Sequence, residues 1–228
     1  MILFDILLLI GTIIAIEYIL KGLFLYFKFE EPLHQRFLYF LLMGVCFLVI
    51  VSLERQRGIF SPIPISWDLG NLAIATVLSI TGLVVLLIVF RVVYNSIPKE
   101  TQRTNFYMEE TNYYASIPKW YGIILLALSS GFFEELIFRY YIIDRVGMMT
   151  AHLDWAVGLS SLLYGLIYLP RGWMNACFAG IIGFLLAVLF ILTENILFVI
   201  LIHIVWKLVS LTMLQNRGNH LIHRFPIS

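Results

Sequence analysis

The chain has 228 residues, of which 61% are hydrophobic and only 13% are charged. Soluble domains carry about 25% charged residues, so this composition and a mean hydropathy of +0.93 exclude an ordinary soluble domain and favour the lipid bilayer as the solvent. The net charge of +1, without any Lys/Arg run, argues against a nucleic-acid partner.

Apolar runs separated by polar residues predict an all-α, polytopic transmembrane bundle. About seven spans are predicted, with an eighth left open, at residues 2–26, 37–53, 71–94, 120–147, 155–169, 173–192 and 195–215. The first run lacks the basic opening of a signal peptide and is expected to be retained. In the C-terminal third, split or re-entrant helices stay possible because the pattern is interrupted at Pro170, Gly172, Gly180 and Gly183.

Three regions follow from this pattern: N-terminal transmembrane helices at 1–94, a polar or interfacial connection at 95–118 and a helical core with a C-terminal tail at 119–228. Cys46 and Cys177 lie in apolar runs without metal-ligand spacing. They are therefore expected to be small buried hydrophobic residues. No metal and no other cofactor is predicted.

An acidic cluster interrupts the fourth predicted helix with Glu134, Glu135 and Arg139. An ionised side chain in the middle of a membrane costs several kcal/mol, so such residues are candidates for function. Glu135 and Arg139 are four residues apart and are expected to form an ion pair. Adjacent helical residues point about 100° apart, which leaves Glu134 to face a cavity. The alternative is a helix end whose charges are solvated beside Asp144 and Arg145.

His203 and Lys207 form a second polar pair at helical spacing in an apolar run. Alone, such a pair is typical of a histidine bonded to a neighbouring helix and a lysine that reaches the headgroups. Together with the acidic cluster, the histidine can position a water or polarise a carbonyl. The pair Glu17 and Lys21 is expected to neutralise itself, and the polar residues after Thr193 are expected to form a turn.

These residues resemble the CPBP (CAAX protease and bacteriocin-processing, Abi) family of intramembrane proteases. The first family motif, EExxxR, is matched by Glu134-Glu135-Leu136-Ile137-Phe138-Arg139. The second, an aromatic residue followed by three residues and a His, aligns with Tyr164 and Tyr168, so a tyrosine replaces the histidine. The third, a His followed by three residues and an Asn or Asp, aligns with His203 and Lys207, so a lysine replaces the amide or acid. The resemblance spans about 120–210 and implies a CAAX-protease-like core.

The resemblance implies a cavity lined by the first motif together with His203 and the altered positions Tyr164, Tyr168 and Lys207. Glu134 would be the base that activates water, and His203 would donate to the oxyanion. Tyr168, with an ordinary pKa of about 10, cannot share a proton with water near neutrality as imidazole does. Lys207 either replaces the lost amide as an oxyanion donor or pairs with Glu134 and makes it a poorer base.

Two functions follow from the resemblance. The first is an endopeptidase in a bacterial cytoplasmic membrane that cleaves a membrane-associated or lipid-modified peptide, with activity that is weak or lost. The second is a catalytically silent pseudoprotease that binds a membrane partner such as a cell-wall enzyme, transporter or bacteriocin. An ion-coupled transporter fits the buried charges but not the family spacing.

Overall fold

The structure, a computed structural model, describes residues 2–27, 32–59, 62–65, part of 70–88, 120–169 and 173–224. Apart from turns and one isolated bridge, these residues are helical, and none of them forms a strand. The labelled helices are α1 (Ile2–Phe27), α2 (Pro32–Gln56), α3 (Trp120–Thr150), α4 (Leu153–Ile167), α5 (Trp173–Thr193) and α6 (Ile196–Arg224). The predicted all-α fold is confirmed.

Four of these helices, α1, α2, α3 and α5, are long and apolar enough to cross a membrane. The apolar parts of α4 and α6 are shorter, at Leu153–Ile167 and Ile196–Thr212. Further helical residues lie at 72–74 and 76–82, inside the predicted span 71–94. Much of that span, and the whole of 95–118, lies outside the described residues. The chain is an integral membrane protein.

The helix boundaries agree with the predicted spans to within a few residues, except that α2 begins earlier and α6 runs further, to Arg224. The predicted interruption at Gly180 and Gly183 does not occur, because α5 is continuous from Trp173 to Thr193. Both glycines instead lie where α5 approaches α4 closely. Pro170 and Gly172 lie outside the described residues.

Most of the buried side chains of the bundle are apolar, and so is much of its outer surface. Buried side chains follow one face of α1 at Ile6, Leu9 and Ile13 and meet Tyr39 and Met43 of α2. Large apolar side chains are also exposed on the outside of the described helices, as expected where lipid and not water surrounds the protein. The most extensive helix contacts join α4 to α5, α3 to α6, and α3 to α4.

The turn between α5 and α6 forms at the predicted polar residues. Glu194 adopts a left-handed conformation with φ of 47°, and the Asn195 side chain caps α6 by accepting from the Phe198 N–H at 3.2 Å. The Ile196 N–H donates to the Pro64 carbonyl at 3.2 Å, so the segment 62–65 is tied to this turn. The predicted turn is confirmed.

Two polar residues of the N-terminal helices have partners that the sequence pattern does not indicate. Glu17 of α1 is buried and forms an ion pair with Arg36 of α2 at 2.7 Å. The side chain of Lys21, its predicted partner, lies outside the described residues. This pair joins α1 to α2 across 19 positions of sequence, which helical spacing within one helix cannot reveal.

The two cysteines are free, and they differ in burial. Cys46 is partly buried in α2, whereas Cys177 is exposed on α5. The predicted burial is therefore wrong for Cys177, because its side of α5 faces outward and an apolar neighbourhood in sequence does not distinguish lipid from protein. Among the residues that the structure describes, no group of three His, Cys, Asp or Glu side chains is placed to hold a metal ion.

Candidate active site

Helix α3 changes its backbone geometry directly after the acidic pair. The segment Leu136–Ile142 is π-helical, whereas the residues before and after it are α-helical. Such π-helical turns are rare, and they frequently lie at functional sites because they redirect side chains. Here the Phe138 carbonyl accepts a hydrogen bond from the Ser160 Oγ of α4 at 2.6 Å. Arg139 therefore projects from a widened turn that α4 holds in place.

Glu134 is fully buried, and both of its carboxylate oxygens accept hydrogen bonds from tyrosines of α4. The Tyr164 hydroxyl donates to Oε2 at 2.6 Å, and the Tyr168 hydroxyl donates to Oε1 at 2.8 Å. Lys207 Nζ of α6 donates to the Tyr168 hydroxyl at 2.7 Å and lies 3.9 Å from Glu134 Oε2. The carboxylate is thus held by two hydroxyls and a nearby ammonium group.

Glu135 holds two different partners with its two oxygens. Its Oε2 lies 3.0 Å from Arg139 Nε, and its Oε1 lies 2.5 Å from His203 Nδ1 of α6. Arg139 also donates from Nη2 to the Gly183 carbonyl of α5 at 3.1 Å. Its guanidinium carbon lies 4.8 Å from the centre of the Tyr164 ring, within the range of a cation–π contact. Arg139 therefore contacts α4 and α5, while its partner Glu135 contacts α6, so four helices meet around this ion pair.

The formal charges of the centre cancel. Glu134 and Glu135 supply two negative charges, and Arg139 and Lys207 supply two positive charges, all within the ion-pair distances given above. An isolated buried charge costs far more than a paired one. The burial of this cluster in a membrane-spanning bundle is therefore tolerated only because its members come together from α3 and α6.

Close helix packing at two glycines brings the centre together. A Cβ on Gly131 of α3 would lie 2.6 Å from Ile204 Cγ1 and 3.2 Å from its backbone nitrogen, so α6 approaches α3 next to His203. A Cβ on Gly183 of α5 would lie 2.8 Å from Tyr164 Cδ1. The absence of side chains at these positions allows the tyrosine and the histidine to reach the acidic pair.

The structure decides between the two interpretations of the acidic cluster. Glu134, Glu135 and Arg139 are all 0% exposed, so a helix end solvated beside Asp144 and Arg145 is wrong. The predicted ion pair of Glu135 with Arg139 is confirmed. Glu134, however, is not a free carboxylate facing a cavity, because two tyrosine hydroxyls bind it.

The structure brings together all seven residues singled out from the sequence, and adds two groups that the sequence did not indicate. The Gly183 carbonyl binds Arg139, and Ser160 binds the π-helical turn. Ser160 precedes the second motif in a helix of mostly apolar residues. A hydroxyl residue in such an apolar run is the only indication of this contact in the sequence. The sequence gives no indication that the Gly183 backbone carbonyl would bind an arginine.

A second buried polar cluster lies further along α3 and was not predicted. Glu54 of α2 accepts from the Tyr141 hydroxyl at 2.8 Å and from Arg145 Nε at 2.8 Å. Arg145 also pairs with Asp144 and donates to the Ile59 carbonyl at 3.3 Å. This cluster ties α2 to α3. It also shows why Arg145 is not the solvated residue that the helix-end interpretation required.

The buried Glu-Glu-x-x-x-Arg segment opposite a histidine of another helix agrees with the resemblance to CAAX-type intramembrane proteases. Residues 116–209, less than half of the chain, match the family described as type II CAAX prenyl endopeptidase Rce1-like. The family resemblance predicted from the motifs is confirmed over this segment. No curated protein and no solved structure gives a significant match to the chain.

Proposed function

We propose that the chain is an intramembrane endopeptidase that hydrolyses a membrane-associated or lipid-modified peptide slowly, in a bacterial cytoplasmic membrane. The observation that carries this proposal is the buried Glu134, which lies within 4 Å of the site's histidine and lysine. The family matched by residues 116–209 is named for cleavage of prenylated CAAX proteins, which supports a lipid-modified peptide as the substrate class.

Glu134 is the group that takes a proton from the attacking water in this proposal. A general base needs a lone pair within hydrogen-bond reach of that water. Both oxygens of Glu134 already accept from Tyr164 and Tyr168, so one hydroxyl must turn away before the carboxylate binds water. This rearrangement is the physical reason to expect slow hydrolysis.

Donors for the oxyanion come from the same centre. Lys207 Nζ contacts the Tyr168 hydroxyl, and its side chain, at 17% exposed, is the most accessible of the charged groups around Glu134. An ammonium group aimed at developing negative charge stabilises the transition state strongly in a water-poor site. Lys207 thereby replaces the amide or acid of the third family motif.

A second candidate function is a silent pseudoprotease that binds a membrane-anchored cell-wall enzyme, transporter or bacteriocin. It is favoured by the closed hydrogen bonding of Glu134 and by Tyr168, which occupies the position of the second-motif histidine. In this case the charge-balanced centre stabilises the bundle, and the protein serves for recognition alone.

The deciding experiment is cleavage of a farnesylated CAAX peptide by the purified full chain in detergent micelles, followed by mass spectrometry. We expect slow cleavage that Glu134→Gln abolishes. Ser161→Ala is the matched control, because the Ser161 hydroxyl bonds only within its own helix to the Val157 carbonyl. Equal product from wild type and Glu134→Gln, after long incubation, would refute hydrolysis at this centre.

Restoring the family residues separates the two candidates further. Tyr168→His together with Lys207→Asn is expected to accelerate cleavage if the parent is a slow enzyme. If neither the parent nor the restored variant cleaves, and a membrane protein co-purifies equally with wild type and Glu134→Gln, the pseudoprotease is the better description.

A further inference from the structure

The hydrogen bonding of His203 fixes which of its ring nitrogens carries a hydrogen. Glu135 is paired with Arg139 through Oε2, so it is a carboxylate and can only accept. Its Oε1 lies 2.5 Å from His203 Nδ1. Nδ1 must therefore donate, and in the neutral imidazole Nε2 then has a lone pair and no hydrogen.

This tautomer conflicts with a role for His203 as an oxyanion donor, the role that the family resemblance implies. A neutral imidazole with its hydrogen on Nδ1 has nothing to donate from Nε2. That nitrogen faces the reaction centre, 3.6 Å from Glu134 Oε2 and 3.4 Å from the Tyr164 hydroxyl. The group presented to the centre is consequently a proton acceptor.

We propose that His203 accepts and returns a proton during hydrolysis, in place of the imidazole that Tyr168 lacks, and that Glu135 positions it. The inference rests on the proposed peptidase function. Its geometric basis is a carboxylate–imidazole pair aimed at a second carboxylate, the arrangement by which a buried acid holds a histidine base in one tautomer. Arg139 in turn fixes the positioning carboxylate.

The attacking water loses a proton to Glu134 while its oxygen forms a bond to the carbonyl carbon of the scissile amide, and Glu134 passes that proton to His203 Nε2, 3.6 Å away. The carbonyl electron pair moves to the oxygen, which Lys207 stabilises. His203 then returns the proton to the amide nitrogen, the carbon–nitrogen bond breaks, and the products are a carboxyl group and an amine.

The charge balance of the centre favours this assignment. The two carboxylates and the two fixed cations already cancel while the imidazole is neutral. During attack, the imidazolium and the oxyanion form together, so the buried centre gains no net charge. A permanently protonated His203 would instead add an uncompensated positive charge to the resting site, which a low-dielectric interior disfavours.

The test compares His203→Gln with wild type in the farnesylated-peptide assay, with Ser161→Ala as the control. Gln places an amide N–H near the position of Nε2 but cannot accept and return a proton. A proton-transfer role predicts a loss of at least roughly 100-fold, whereas an oxyanion-donor role predicts that much of the activity survives. Retained activity would overturn the inference and leave the proposed peptidase intact.

A second measurement does not depend on turnover. Nitrogen-15 NMR of histidine-labelled protein, with the signal assigned by the His203→Gln variant, reports which ring nitrogen is protonated. We expect hydrogen on Nδ1 alone in wild type, and a changed tautomer population in Glu135→Gln. Hydrogen on Nε2 in the resting protein would overturn the inference. A wild type that shows the expected tautomer but never cleaves the peptide would instead refute the peptidase function, and the proton transfer with it.

Discussion

Helix α4 packs against α5 at Gly165, where there is no room for a methyl group. A Cβ built on Gly165 lies 2.8 Å from the Ala176 carbonyl oxygen and 3.4 Å from Gly180 Cα. Both contacts are to backbone, which cannot rotate away as a side chain can. The substitution Gly165→Ala must therefore separate the two helices, and we expect an overpacking cost of about 1–3 kcal/mol.

The matched control lies on the same helix. A Cβ on Gly158 meets nothing within 4 Å, so Gly158→Ala has the helix-propensity gain of about 1 kcal/mol without the clash. Because that gain is common to both variants, it cancels between them. The difference in free energy of unfolding between Gly158→Ala and Gly165→Ala is then the overpacking cost itself, about 1–3 kcal/mol.

The assay is unfolding of the purified protein in mixed micelles, with increasing sodium dodecyl sulfate and circular dichroism as the readout. Gly165→Ala should unfold at a lower detergent fraction than Gly158→Ala. It should also weaken peptide cleavage, since Gly165 lies between the two tyrosines that bind Glu134. Equal unfolding midpoints for the two variants would show that the helices are not in the close contact described above.

Three further substitutions test other buried hydrogen bonds in the same unfolding assay. Ser160→Ala removes the donor to the Phe138 carbonyl and should lower the free energy of unfolding by about 1 kcal/mol. The control Ser161→Ala should be nearly neutral. Equal effects of the two substitutions would argue against a role for α4 in holding the π-helical turn. Tyr141→Phe removes one of the donors to buried Glu54 and should cost about 1.5–3 kcal/mol. Glu54→Gln leaves the arginine of that cluster without its buried charge partner and should cost about 3–5 kcal/mol, so an effect smaller than that of Tyr141→Phe would contradict the ion pair.

Much of the fold can be predicted from the sequence, because a helix that crosses a lipid bilayer requires a long run of apolar residues. The runs that predicted α1, α3 and α5 coincide with the observed helices to within a few residues. The ion pair of Glu135 with Arg139 was predictable for a similar reason, since both residues lie on one face of one helix. Periodicity within a helix reports such neighbours directly.

Contacts between helices were not predictable in the same way. The second motif identifies Tyr164 as an aromatic position, but the hydrogen bond from its hydroxyl to Glu134 spans 30 positions of sequence. The bond from Tyr141 to Glu54 spans 87 positions. These contacts depend on the crossing angles of the helices and on the distances between them. The residue pattern within one helix indicates neither quantity. For the same reason the contact of His203 Nδ1 with Glu135 Oε1, across 68 positions of sequence, does not follow from the sequence pattern.

The distribution of the centre over α3, α4 and α6 affects how the protein enters the membrane. Glu134 is synthesised 34 residues before Tyr168, and Glu135 is synthesised 68 residues before His203. A charged residue at the centre of an inserting helix costs about 2.5–3.5 kcal/mol. Arg139 lies in the same helix as Glu135, so it enters the membrane with Glu135 and offsets that cost. Glu134 gains its partners only when α4 and α6 are inserted. A chain halted before α6 therefore leaves the Glu134 carboxylate within the bilayer without the nearby Lys207 ammonium group.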